Sequence, residues 1–217
     1  MLKITTLDEF EMEFAKLGCK YRTKNVDAFN RRLIKNNIDV SFLKDVILIK
    51  PEYHRTYFQV SLAKAAKIEE QLQFIEEHFY LLNDWWHVDQ LTQFLRKDLS
   101  LDLAVNKAKI YVEHPHPFAR RWAYVMLMPN LVKKATAFHQ ITPLFQDDDE
   151  YYVVMAEAWL LSSLAIDHPH KTFTYLQSQP LKYNIVGRAI QKICDSSRIT
   201  QADKEKFKTI RLLYRKS

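Results

Sequence analysis

The chain has 217 residues, 47% of them hydrophobic and 28 aromatic, enough to fill a substantial core in one large domain. Thirty-two Lys and Arg against 26 Asp and Glu leave a formal net charge of +6, which permits a polyanionic partner without specifying one. Only two glycines occur, Gly18 and Gly187, so neither a G-x-G-x-x-G nor a Walker loop can be written; this excludes nucleotide-dependent Rossmann and P-loop enzymes and disfavours a β-sandwich built on tight hairpin turns.

The predicted elements are helices throughout. Thr6-Leu7-Asp8-Glu9 reads as a capping box, followed by Phe10, Phe14 and Leu17 at i, i+4 and i+7, and Gly18 is placed to stop that helix. Further helices are expected over 25–37, 39–49, 53–66, 68–82, 84–96, 100–113, 117–128, 130–139, 149–166, 169–178, 181–195 and 200–215. Pro51, Pro115, Pro117, Pro129, Pro143, Pro169 and Pro180 all fall at ends or first turns, where a missing N–H is tolerated. Short joints between many such helices predict an all-α fold of helix pairs stacked in series, a single domain over residues 1–217 with the pattern of a HEAT-type solenoid.

Basic side chains gather in two places. Residues 20–35 hold Lys20, Arg22, Lys24, Arg31, Arg32 and Lys35 against Asp27. Residues 198–217 hold seven cations against Asp203 and Glu205, and helical spacing sets Lys204, Lys208, Arg211 and Arg215 on one stripe with Phe207, Ile210 and Tyr214 on another. Each stripe fits either a solvated surface or a grip on a polyanion. Cys19 and Cys194 are expected to be reduced thiols, and the absence of an apolar leader or a membrane-length apolar run predicts a cytoplasmic protein with no membrane partner.

An acid followed by His-Pro-His occurs at Glu113–His116 and again at Asp167–His170, 54 residues further on. Four imidazoles would suit Zn²⁺, but a Pro beside each pair fits a helix joint and no Cys or carboxylate ligand motif accompanies them, so no metal is expected. A Ser/His/Asp nucleophile lacks its G-x-S-x-G elbow.

Three segments carry the chemistry. In Asn83-Asp84-Trp85-Trp86-His87-Val88-Asp89, Trp85 and Asp89 stand at i and i+4, neighbours on one helix face, while Val88, Leu91 and Leu95 form the inward stripe. Pro117-Phe118-Ala119-Arg120-Arg121 begins a helix with paired arginines. Asp149-Glu150 opens a third helix with an acidic first turn, and Ala156-Glu157-Ala158-Trp159 follows within it.

Taken together these segments resemble the AlkD-like DNA alkylation repair family, the HEAT-like-repeat DNA glycosylases, in which W-x-x-V-D, W-x-x-R and A-x-x-W motifs line a concave cleft. Trp85 and Asp89 match the first motif, Arg121 the arginine of the second and Trp159 the third, over a similarity running from about residue 53 to 195. The resemblance implies a right-handed superhelix of antiparallel helix pairs, a double-stranded DNA partner, no cofactor, a monomer, and removal of cationic N3- or N7-alkylpurines. In that scheme Asp89 stabilises an oxocarbenium-like sugar and orients a water, Trp85 and Trp159 pack on the deoxyribose, and Arg121 holds a phosphate. Arg120, Lys204, Lys208, Arg211 and Arg215 are the further candidates for gripping the DNA backbone.

The chain also departs from that pattern. Phe118 replaces the usual Trp, Met155, Ser162 and Ser163 stand where relatives often carry Lys, Arg and Glu, and the 84 residues before Trp85 cannot supply the family's G-[IV]-x-x-P-x-R turn. Two classes of function follow: an alkylpurine DNA glycosylase with attenuated grip, or a non-enzymatic helical scaffold that binds DNA weakly or binds a protein.

Overall fold

A computed structural model describes residues 3–18, 22–128 and 130–214, and every regular element among them is helical. The chain divides into two compact units, Met1–Asp98 and Leu99–Ser217. None of the described helices is long and apolar enough to cross a membrane.

Unit 1 contains α1 (Leu7–Ala15), α2 (Thr23–Lys35), α3 (His54–Leu62), α4 (Ile68–Glu77) and α5 (Trp85–Asp89). The predicted capping box opens α1: Thr6 Oγ1 accepts the Glu9 N–H, and the Glu9 carboxylate accepts the Thr6 N–H in return. Gly18 then takes a positive φ of 87°, where a side chain would be strained. Phe10 and Phe14, one turn apart, meet Tyr53 edge-on with centroids 5.1 and 4.9 Å away, and Phe29 of α2 closes the same aromatic cluster. Its large apolar area holds α1 against α2 and against Tyr53, the residue just before α3.

Unit 2 contains α6 (Leu101–Tyr111), α7 (Pro117–Val125), α8 (Ala137–Ile141), α9 (Tyr151–Asp167), α10 (Pro169–Gln177), α11 (Tyr183–Asp195) and α12 (Gln201–Tyr214). Helix α9 is apolar over nearly its whole circumference, so it can be stable only inside the fold, and it packs against α7, α10 and α11. Val154, Ala158, Leu161 and Ala165 of α9 meet Ile185, Ala189 and Ile193 of α11 in one core, which Phe207 and Ile210 of the amphipathic α12 complete. Pro117 and Pro169 occupy the first turns of α7 and α10, with His116 and His168 as the residues just before them, so both His-Pro-His segments are helix joints. Pro129 and Cys19 lie outside the described residues.

Several predicted helices prove shorter or tighter. The segment expected as a helix over 39–49 is a 3-10 turn, Ser41–Asp45, followed by hydrogen-bonded turns. Asp39 accepts the Ser41 N–H and hydroxyl, and Val40, Val46, Ile47 and Ile49 lose rotamer freedom in an α-helix. The expected helix over 130–139 is likewise a 3-10 turn, Leu131–Lys133, and then the single-turn α8. The expected helix over 84–96 ends as α5 at Asp89 and continues as a 3-10 turn, Leu91–Gln93, because Thr92 Oγ1 donates to the Asp89 carbonyl and Gln93 N–H turns to Gln90.

Candidate functional site

Helix α5 is five residues long, so neighbours fix its place more than its own backbone does. Asp84 caps it, its carboxylate accepting the Trp85 N–H at 2.6 Å. Val88 and His87 point into the core, Trp85 is 47% exposed and Asp89 is half-buried. Trp85 and Asp89, one turn apart, thus share the wall of a hollow of about 390 Å³, within the usual size range for small-molecule sites. Thr23 and Val26 of α2, Glu52, Arg55, Trp86, Gln90 and Gln93 complete its lining, all from unit 1.

The floor of this hollow is a connected polar network. Arg55 donates from Nε and Nη2 to the two Asp27 carboxylate oxygens at 2.7 and 3.0 Å, a bidentate pair that is mostly buried. The same guanidinium reaches Gln90 Oε1 at 3.3 Å and Gln93 Oε1 at 3.0 Å, and it lies 4.9 Å from the Phe94 ring centroid. Since arginine only donates, the Gln90 oxygen must face it, which turns the Gln90 amide NH₂ toward His54 Nδ1, 2.8 Å away. His54 Nδ1 is therefore an acceptor, and the neutral ring carries its proton on Nε2. That nitrogen is buried without a hydrogen-bond partner among the described residues.

His87 repeats the arrangement. Its Nδ1 accepts the Asn83 N–H at 3.3 Å, leaving the proton on a buried Nε2 that has no hydrogen-bond partner among the described residues. Burial holds the His54 imidazole well below its usual range, with proximity to His87 adding to the effect and the Leu81 carbonyl opposing it. Burial also lowers His87 to about 4, against the pull of the Asp84 carboxylate. Both rings are neutral at pH 7, and the His87 ring of α5 lies flat on the His54 ring of α3.

The other residues singled out from sequence belong to unit 2. Trp159 is 39% exposed on α9, on the side of that helix that also presents Tyr152 and Met155. Arg121 is only 4% exposed and donates from Nη1 to the Tyr152 carbonyl at 2.6 Å. Arg120 grips Asp148 from Nε and Nη2 at 2.5 and 3.3 Å and donates from Nη1 to the carbonyls of His114 and Pro115. Both arginines thus hold α7 to the backbone around it and to the start of α9. On α12, Lys208 pairs with Glu205, Arg211 reaches Gln191 Oε1 at 3.2 Å, Lys204 is half-exposed, and Arg215 lies outside the described residues. Lys208 is drawn above its usual range by the Glu205 carboxylate.

Sequence reasoning did not find Glu52, Arg55 or Gln90, which reach the hollow from other elements or from the position just after α5, nor the buried Glu157 in unit 2. Glu157 is 0% exposed on α9, where its Oε1 accepts the Tyr124 hydroxyl and the Gln146 N–H, each at 3.0 Å. Burial raises it to about 7 against those two donors, and Asp148 and Asp147 push it the same way.

Residues 16–193 match the family described as DNA alkylation repair enzyme. The chain belongs to that family, which supports a role in the repair of alkylated DNA. No curated protein and no solved structure matches it.

Proposed function

We propose that the chain is a DNA N-glycosylase for cationic N3- and N7-alkylpurines, acting on double-stranded DNA without a cofactor. The observation that carries this reading is the juxtaposition of Trp85 and Asp89 on the wall of one open hollow. An alkylated purine is already a good leaving group, so the remaining barrier is the positive charge that builds on the sugar as the glycosidic bond lengthens. The Asp89 carboxylate stabilises that charge and orients the attacking water, and the exposed Trp85 face offers π-electron density to the deoxyribose. The family match supports the finer reading of the fold as a right-handed superhelix of HEAT-like helix pairs in a single domain.

The test is release of N7-methylguanine from alkylated duplex DNA. Wild-type protein is expected to release it, and Asp89→Asn to lose about 100-fold or more in rate. Release by wild-type protein no faster than in buffer alone would overturn the proposal.

A further inference from the structure

The cations of this protein are not equally available to a partner. In unit 2, Arg120 is spent on Asp148, Lys206 on Asp203, Lys208 on Glu205, and Arg211 on the Gln191 amide and the Gly187 carbonyl. Helix α2 in unit 1 is different. Lys24, Arg31, Arg32 and Lys35 are all exposed, and none of them meets a carboxylate among the described residues. The acid of that helix, Asp27, is already neutralised by Arg55. Residues 1–98 carry 15 Lys and Arg against 15 Asp and Glu, yet α2 carries four against one, so the charge is concentrated on this helix rather than spread over the unit.

Helical geometry sets these side chains in a row. Val26, Phe29, Asn30 and Leu33 are buried on one face of α2. On the opposite face Lys24, Arg31 and Lys35 fall within about 40° of one another around the axis and along about 16 Å of its length. Ala28, exposed between Lys24 and Arg31 in the same row, adds no bulk. The row begins beside the hollow, since Thr23, the residue before Lys24, lines it. Unpaired cations in line on a helix anchored by its other face suit the repeated charges of a sugar-phosphate strand. Such a strand rises about 3.4 Å per nucleotide in a duplex, so the row spans roughly five nucleotides.

We propose that the outer face of α2 is a contact surface for the backbone of duplex DNA, with Lys24, Arg31 and Lys35 as positioning residues that hold phosphates of one strand next to the Trp85–Asp89 hollow. The grip expected of Arg120, Lys208 and Arg211 falls instead to this helix. Only the choice of DNA as the polyanion rests on the proposed glycosylase function. Phosphate contacts fix register and affinity without regard to the base and take no part in bond cleavage.

The experiment uses full-length protein and an undamaged, fluorescently labelled duplex of about 20 base pairs, with binding read by anisotropy between about 50 and 200 mM salt. The test variant is Lys24→Gln/Arg31→Gln/Lys35→Gln, and the control is Lys204→Gln/Lys206→Gln/Lys208→Gln on α12. Wild-type affinity is expected to fall steeply with salt. The α2 variant should bind about tenfold or more weakly at low salt, and its log–log salt slope should be shallower by about two to three, close to one for each phosphate contact removed. The α12 variant should keep a slope within about one of wild type. Arg31→Glu, a single exposed change, should move slope and affinity in the same direction and gives the same reading should the triple variant not fold. In single-turnover release of N7-methylguanine, the α2 variant should need more protein to reach an unchanged maximal rate. No binding of the duplex by wild-type protein at low salt, an unchanged salt slope in folded α2 variants, or a larger loss in the α12 variant would overturn the proposal. Binding that depends on α2 without base release would leave it standing and defeat the glycosylase reading; base release whose protein requirement the α2 changes do not move would do the reverse.

Discussion

The imidazoles of His54 and His87 stack face to face, with centroids 3.7 Å apart and planes within 7° of parallel. Two charged rings could not hold this contact, and both are kept neutral by the same burial that seats α5.

A pH dependence of known sign follows for unit 1. An unfolded histidine titrates near its ordinary value of 6.5, whereas folded His87 titrates at about 4 and folded His54 well below 6.5. Between those values the unfolded chain binds protons that the folded unit does not, so stability is full above about pH 6.5 and falls as the pH drops toward 4. The slope approaches about 1.4 kcal/mol per pH unit for each ring. Hydrogen exchange of peptides from residues 54–89 should therefore accelerate between pH 7 and pH 5 after correction for intrinsic rates; unchanged protection would contradict it.

Unit 2 should show the opposite slope at Glu157. Its folded carboxyl titrates at about 7 against an ordinary 4.5, so the folded state holds a proton that the unfolded chain releases between those values, and stability is lost as pH rises through that window. Glu157→Gln keeps an oxygen for Tyr124 and Gln146 and removes the buried charge. It is expected to stabilise the protein by an amount on the order of 1–3 kcal/mol at pH 8 and to change little at pH 5, as read by urea denaturation at the two pH values.

Arg55→Ala would leave Asp27 without its bidentate partner and Gln90 and Gln93 without a donor. A loss of about 1–3 kcal/mol is expected for this partly exposed pair, together with weaker activity, because the side chains flanking Asp89 are no longer held. Denaturant midpoints measured beside base-release rates would check both.

The tryptophans should separate stability from function. Trp85→Ala, at a half-exposed position, is expected to cost no more than about 1 kcal/mol of stability while depressing base release. Trp122→Ala empties a fully buried site in α7 and should cost about 3–5 kcal/mol. A large loss of stability for Trp85→Ala would mark it as a packing residue.

Much of this was legible from residue pattern. The α1 cap, the stop at Gly18, the prolines at α7 and α10 and the buried face of α12 are local features, set by chemistry within one or two turns. The Trp85–Asp89 neighbourhood was legible for the same reason. The failures share a cause too: at 39–49 and 84–96 the apolar spacing suits a helix, yet Asp39 and Thr92 offer backbone groups a nearer partner and tighten the chain. Glu52, Arg55 and Asp27 come to the hollow from separate elements, and no periodicity in one segment announces a contact with another. The arginines at 120 and 121 show the converse, since their pairing suggests an open cationic patch while Asp148 and the Tyr152 carbonyl take them up.

The Gln90 amide has a directional consequence. Its oxygen is committed to a side chain that can never accept, so its NH₂ has one possible orientation toward His54. A proton arriving at His54 Nδ1 would meet a donor, and the amide would have to swing over, breaking with Arg55 as it did so. Acid is thereby felt first as a loosened joint between the back of the hollow and its rim, before any helix comes apart.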